Sequence, residues 1–354
     1  MDKVQAHAPR RVVATGLDAV NTLRRVRDLV RHAVSRLGQA GVAFGHGTDN
    51  AFDEAVWLVC WTLHLPIERY PDLAGAAVAW PEARATLDLI EQRCSAGKPL
   101  AYLIGEAWLM GHRFRCDERA LVPRSLIAEA LLDGGLDSYL PAPDPDGGGV
   151  KGDGSALQML DLCTGGASLA IVAAGYLPDA VVVGSDLSAA ALDLAADNLA
   201  DYGLDQRVRL VNSDLFAGLG RQRFDLILCN PPYVNAQAMA ALPAEYRAEP
   251  RSALDGGDDG MELVARIIRQ AGEHLSPDGL MVLEIGHEAR HFERRFPRLE
   301  FAYVPVTQGA NRIVALSAQA LRDGAKRPDA GGKPKAAKKS GKSAKPAGGQ
   351  TSKR

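Results

Sequence analysis

The chain has 354 residues, 47% of them apolar and 24% charged, and a formal net charge of −2. That length can hold two domains with separate cores, and no apolar run approaches the ~20 residues that a membrane helix needs. The charge is unevenly spread: residues 325–354 carry ten Lys or Arg and one acid, leaving 31 basic against 42 acidic residues elsewhere, a net of −11, so the body is ill suited to general nucleic-acid binding.

Residues 1–22 read as a flexible arm, in which no apolar signal core follows Arg10 and Arg11. Residues 23–104 are predicted to form a small helical domain. Leu29, Val30, Ala33, Val34 and Leu37 recur at helical spacing. Gly45 to Asn50 breaks the chain, and Asn50 suits the N-cap of a second helix whose core face carries Val56, Trp57, Cys60 and Trp61. A third helix holds Leu87, Ile90 and Cys94. Residues 105–156 form a connection. Within it Phe114 to Val122 alternates around Asp117-Glu118 and reads as a hairpin or extended linker, and Pro141 to Gly154 reads as a Pro/Gly-rich loop.

From residue 157 to residue 321 the texture is α/β. Apolar strands over Gln158–Leu162, Ala180–Ser185, Val208–Val211, Phe224–Cys229 and Leu280–Ile285 alternate with helical stretches. The predicted fold is a doubly wound, Rossmann-like parallel sheet. Residues 322–354 form a basic tail too poor in apolar residues to pack, and disorder is expected there. Cys60, Cys94, Cys116, Cys163 and Cys229 lack metal-type spacing. They suit reduced thiols in a cytoplasmic protein with no metal site.

Four motifs follow strands. The run Leu160-Asp161-Leu162-Cys163-Thr164-Gly165-Gly166-Ala167-Ser168 ends the first strand and opens a helix. Its small residues let the backbone approach a ligand, although Ala167 stands where a glycine is usual and a plain tight turn would look similar. Asp186 ends the next strand, 25 positions beyond Asp161. That spacing suits an acid on ribose hydroxyls, or a cap for a helix over Ser188–Asn198. The pair points to a nucleoside ligand without choosing between NAD and S-adenosylmethionine. In Ser213-Asp214-Leu215-Phe216, Asp214 can reach an adenine amino group and Phe216 can cover the ring; loop capping plus a core phenylalanine is the alternative.

The fourth motif is Asn230-Pro231-Pro232-Tyr233. Two prolines cannot continue a central strand, so the chain turns at the carboxyl edge where open α/β sheets bind ligands. The Asn230 side chain and the Pro231 carbonyl can accept the two hydrogens of a planar –NH2 group, and Tyr233 offers a flat face. An amide nitrogen is a poor nucleophile, so its placement by these groups is the expected catalytic device. No general base is required, because the product nitrogen can lose its proton after transfer. This chemistry suits nitrogen methylation and is superfluous in a nicotinamide enzyme.

In this order, Asp-x-Cys-Thr-Gly, a strand-end Asp, Ser-Asp-Leu-Phe and Asn-Pro-Pro-Tyr resemble the protein N(5)-glutamine methyltransferases. One branch of that family modifies the Gly-Gly-Gln glutamine of peptide-chain release factors; the other modifies a glutamine of large-subunit ribosomal protein L-three. Phe44–Asn50, Gly105–Trp108, Leu121–Ser125 and Leu242–Pro250 are similar to the ribosomal branch, and the resemblance spans about Leu23 to about Leu321. It implies S-adenosylmethionine at Asp161, Cys163, Thr164, Gly165, Gly166 and Ala167, with Asp186 on the ribose, Asp214 and Phe216 at the adenine, and Asn230 within reach. It implies the substrate amide at Asn230, Pro231, Pro232 and Tyr233, with Asn230, Pro231 and Tyr233 catalytic. The helical domain then helps choose the protein substrate.

Gly166-Ala167 departs from the family's usual Ser-Gly, Leu126 from a common proline, and His287 from a frequent asparagine. His46 reads as a turn residue rather than a catalyst. Glu245 and Glu249 read as partners of arginine or of loop N–H groups rather than as general bases, and Arg124 as a holder of a carboxylate or backbone at the domain junction. Rival readings are a release-factor enzyme, an adenine amino methyltransferase and a non-catalytic ribosome assembly factor. The basic tail could add a weak contact to ribosomal RNA.

Overall fold

The computed structural model describes residues 19, 21–140, 154–307 and 309–325. Of the arm expected over residues 1–22, the loop over 141–154 and the tail over 322–354, residues 1–18 and 20, 141–153 and 326–354 lie outside the described residues; residues 322–325, expected to be disordered, continue the last helix, Ala318–Ala325.

Helices α1 (Val26–Ala40), α2 (Ala51–Thr62), α3 (Tyr70–Leu73), α4 (Trp80–Ala96) and α5 (Leu100–Ile104) form the first unit. Leu29, Ala33 and Leu37 of α1 share one apolar cluster with Val56, Val59 and Cys60 of α2 and with Leu87 and Ile90 of α4. These are positions three and four apart on each helix, so each buries one face. Asn50 caps α2 as expected, its Oδ1 accepting from the N–H groups of Phe52 and Asp53 at 3.0 Å each. Trp57 is buried, whereas Trp61 is only half-buried at the cluster's edge.

The hairpin lies upstream of its expected place. Strands β1 (Glu106–Leu109) and β2 (His112–Arg115) pair antiparallel, and the chain reverses at Met110 (φ 49°) and Gly111 (φ 79°). A two-residue turn of this kind favours Asn or Gly at both positions. Met110 gives no such signal, so the alternation further on drew the assignment. Of the two alternatives read for Phe114 to Val122, the linker holds from residue 116: residues 116–125 are irregular and lead into α6 (Leu126–Leu132).

The second unit is built on β3 (Gln158–Leu162), β4 (Val181–Asp186), β5 (Val208–Asn212), β6 (Phe224–Cys229), β7 (Leu275–Glu284), β8 (Ala302–Tyr303) and β9 (Ile313–Ser317), in the order β5-β4-β3-β6-β7-β9-β8. The first five are parallel, but β9 runs antiparallel to β7 and β8 antiparallel to β9. The sheet is therefore mixed, not wholly parallel as predicted. Successive side chains point to opposite faces. Met159, Val182, Leu228 and Val282 pack with α6, α7 (Ser168–Tyr176) and α8 (Ala189–Asp201). Leu160, Val183, Ile227 and Met281 pack with α11 (Glu262–His274), α12 (Ala289–Arg295) and α13 (Ala318–Ala325). Helices α9 (Ala236–Ala241) and α10 (Ala244–Arg247) lie between β6 and α11 in the chain. No helix among the described residues is long and apolar enough to cross a membrane.

Candidate active site

Strand β3 pairs with β4 on one side and β6 on the other, so the chain leaves the sheet in opposite directions at its carboxyl edge. Such a switch point opens a crevice. Leu162 and Cys229 are register partners. Their successors, Cys163 and Asn230, therefore begin the two loops that meet there. A cleft of about 390 Å³ opens between them, with Asp161, Gly165, Asp186, Asp214, Asn230 and Pro232 among its lining.

The loop after β3 is held by its own acids. Asp161 is buried, and its Oδ2 accepts from Thr164 Oγ1 at 2.6 Å and from the Ala170 N–H at 3.0 Å. Burial, with the Asp186 charge nearby, pushes its carboxyl up to about 7, against those two hydrogen bonds. Asp186 braces both flanks of the crevice: its Oδ2 accepts from Gly165 N–H at 2.9 Å and its Oδ1 from Ser188 N–H at 2.8 Å. Ser188, not Asp186, caps α8, accepting from Ala191 N–H at 3.2 Å. Cys163, Gly165 and Ala167 all adopt left-handed backbone, with φ of 64°, 55° and 63°. That alternation curls the loop around the cleft and leaves Ala167 buried against the core.

After β5, Asp214 stands at the cleft mouth, held by Arg266 of α11 at 2.7 Å and 2.8 Å. Phe216 does not cover the cleft. It is 2% exposed and stacks on His274 with ring centroids 4.6 Å apart. Leu215, with φ 52°, turns the chain there and lines the cleft in its place. Leu187, 69% exposed, lines it beside Asp186. The two leucines give the apolar walls that the sequence reading had sought in Phe216.

After β6, the Asn230 side chain has no hydrogen-bond partner among the described residues and lines the cleft together with Pro232. Pro231 is buried and does not line it. The Tyr233 hydroxyl donates to Glu284 Oε1 at 3.0 Å. Burial beside the Glu284 charge holds that phenol well above its ordinary value. Glycines make room for the tyrosine: a Cβ on Gly260 would stand 2.3 Å from the Tyr233 carbonyl oxygen, and one on Gly286 2.3 Å from ring atom Cε2.

The roof comes from the linker residues Val122–Ser125 and from Pro250, Ser252 and Ala253. One carboxylate joins the two parts. Glu249 is 3% exposed. It accepts from Arg124 at 2.6 Å and 2.7 Å and from Val122 N–H at 3.0 Å, and His46 Nε2 lies 3.4 Å away. Burial pushes its pKa up, but His46 and Arg124 outweigh that and hold it at about 2. Glu245 accepts from Arg93 Nη1 and from Ala43 N–H, each at 3.0 Å, while Arg93 also holds Glu54 at 2.7 Å. Glu245 and Glu249 are thus clamps between the helical unit and the site. Neither lies free in the cleft, and His46 packs its ring 4.2 Å from that of Tyr246.

The sequence reading missed Leu187, Leu215, Arg266, Asn198 and Glu284. Asn198 joins the hairpin to the loop after β3, accepting from Arg115 N–H at 2.8 Å and donating to the Gly166 carbonyl at 2.9 Å. Only Glu284 carried a signal, its place at the end of an apolar strand directly before Ile285-Gly286.

The family model for the methyltransferase small domain matches residues 152–247. The chain is 49% identical over 305 residues to the ribosomal protein uL3 glutamine methyltransferase of Burkholderia pseudomallei, covering 84% of this chain and 96% of that protein. It is 48% identical over 302 residues to the protein of that name from Bordetella pertussis, covering 84% and 97%. The corresponding protein of Neisseria gonorrhoeae is 40% identical over 303 residues, covering 86% and 97%.

Proposed function

From the premise that the chain belongs to the ribosomal protein uL3 glutamine methyltransferase family, we propose that it methylates a glutamine side-chain nitrogen of large-subunit ribosomal protein L-three, uL3, in the cytoplasm. The enzyme is an S-adenosylmethionine-dependent methyltransferase. The observation that carries the site reading is the unpartnered amide of Asn230 at the switch point, beside the loop after β3.

The residues present fit the cofactor. The cleft holds about 390 Å³ and joins an acid at the end of the second strand to apolar walls and a loop of small residues. Asp186 would hold the ribose, Asp214 would face the adenine edge, and Leu187 and Leu215 would cover the ring. The Asp161, Cys163, Thr164, Gly165, Gly166 and Ala167 loop would hold the amino-acid end. When bound, the cofactor supplies an electrophilic methyl group on a sulfonium.

Asn230 Oδ1 accepts one amide hydrogen of the glutamine and turns its nitrogen toward the cleft; the second is assigned to the Pro231 carbonyl, although Pro231 is buried behind the lining. The same two acceptors stabilise the positive charge that grows on nitrogen. Pro232 and Tyr233 bound the planar amide and exclude water. The product proton leaves to solvent, so no side chain is required to remove it.

Incubating purified uL3 and a release factor with labelled cofactor, followed by peptide mapping, tests this reading. The expected product is an N-methylated glutamine in uL3. Asn230→Ala should lower kcat by about 10²-fold or more, since it removes an acceptor used in the transition state. Methylation of the release factor alone would overturn the choice of partner. The acidic body argues against an adenine substrate, which would need a basic surface to reach a base. The ten basic residues of 325–354 are assigned a weak, salt-sensitive contact to ribosomal RNA. Unchanged ribosome association at low salt after their deletion would remove that assignment.

A further inference from the structure

Glu284 is the last residue of β7, and Leu283 before it is the register partner of Cys229. Glu284 and Asn230 are therefore the next residues out on neighbouring strands at the same sheet edge. Three donors converge on the Glu284 carboxylate. Oε2 accepts from Ser125 Oγ at 2.8 Å and from Leu126 N–H at 3.0 Å, and Oε1 accepts from the Tyr233 hydroxyl at 3.0 Å. Only an acceptor with two open oxygens satisfies all three.

The group is 3% exposed, and burial raises its pKa despite those donors and the Arg124 charge. A buried carboxylate of this kind is a poor source of stability, since an apolar residue of similar size would pack without the desolvation penalty. What it supplies is geometry. Tyr233 is pressed against Gly286, where a Cβ would stand 2.3 Å from Cε2 and 2.8 Å from Cζ. The ring is thereby seated from one side, and the hydroxyl bond to Glu284 fixes its rotation. Through its other oxygen Glu284 grips the linker at Ser125, a residue of the cofactor cleft.

We propose that Glu284 is a positioning residue of the methyl transfer: it locks the plane of Tyr233 through the phenolic hydroxyl and ties that ring to the linker wall of the cofactor cleft. Glu284 and Tyr233 both stand outside the cleft lining, so Glu284 acts through the seat it gives the Tyr233 ring beside Asn230 and Pro232. This inference rests on the reading of Tyr233 as the ring that bounds the substrate amide.

The test compares Glu284→Gln, Tyr233→Phe and the double variant with wild type, using purified uL3 as methyl acceptor. Gln keeps the size but turns one acceptor into a donor. Phe removes only the hydroxyl. A small error in the placement of reacting groups is worth about tenfold or more in rate. Each single variant should lose about tenfold in kcat while KM for S-adenosylmethionine stays within about twofold, and the double variant should lose no more than either single one, as expected when two residues act as one unit. An unchanged kcat in Glu284→Gln, losses that multiply in the double variant, or an equal rise in KM for the cofactor would each overturn the proposal. Should Glu284→Gln fail to fold by its melting curve, Tyr233→Phe alone decides, and a kcat equal to wild type rejects the coupling. Wild-type enzyme inactive on uL3 would remove the functional reading itself, and with it this inference. That failure is distinct, because it appears before any substitution is made.

Discussion

Ala167 holds a conformation that glycine would hold more easily. At φ 63° and ψ 19° it is left-handed, and it is fully buried. The left-handed region costs a residue with a Cβ about 1–2 kcal/mol. Glycine would relieve that, but would forfeit about 0.8 kcal/mol for one buried methyl group and about 0.4–1 kcal/mol for a freer unfolded chain. The terms offset, so Ala167→Gly should move Tm by less than about 2 °C. Ala167→Val should behave differently. It adds a β-branch where such residues are outliers and overfills a closed core, for about 1–3 kcal/mol from packing alone. Thermal unfolding of the two variants separates strain from packing at this position. Residue-level legibility had the same physical limit. Asp161, Asp186 and Asn230 could be read because each sits where an apolar strand stops. Phe216 could not, because the left-handed Leu215 before it sends the aromatic ring into the core, and no residue pattern announces that turn.

At the scale of elements, the segment Leu242–Pro250 binds the molecule together. Its Glu249 has a pKa held down to about 2. A carboxylate lowered in this way contributes stability that is present above its unfolded value, ~4.3, and lost as pH falls through the folded one. The contribution at neutral pH is of order 3 kcal/mol. Denaturant unfolding should therefore show a steep loss between roughly pH 4.5 and pH 2. Glu249→Gln should be less stable than wild type at pH 7, and the difference should close toward pH 2. Glu249→Ala, which leaves Arg124 without its carboxylate, should cost about 3–5 kcal/mol. Strands could be read as apolar runs between breakers, and β3 and β6 were found to the residue. Strands β8 and β9 were not read at all, and the direction of β9 carries no signal, since a strand buried on both faces looks alike in parallel and antiparallel neighbours. Hairpin β1–β2 escaped for a local reason, the left-handed Met110.

For the whole molecule, the two-unit organisation was legible because hydrophobic periodicity changes from helical to strand-like near residue 157. The way the units join was not. It depends on ion pairs between residues far apart in sequence, such as Arg93 with Glu245 and Arg124 with Glu249, and pattern reading does not pair charges over such separations. These pairs also set a timetable during synthesis. Glu245 follows Arg93 by 152 positions and Glu249 follows Arg124 by 125. The helical unit can collapse early, with Arg93 held by Glu54 and the Ala43 carbonyl. Its last buried partner is made only after four of the seven sheet strands and the Asn-Pro-Pro-Tyr turn have been translated. The roof of the cleft is therefore sealed late, by the same stretch of chain that follows the substrate motif, and a nascent chain halted before residue 245 would have the cofactor loop but no closed site to use it.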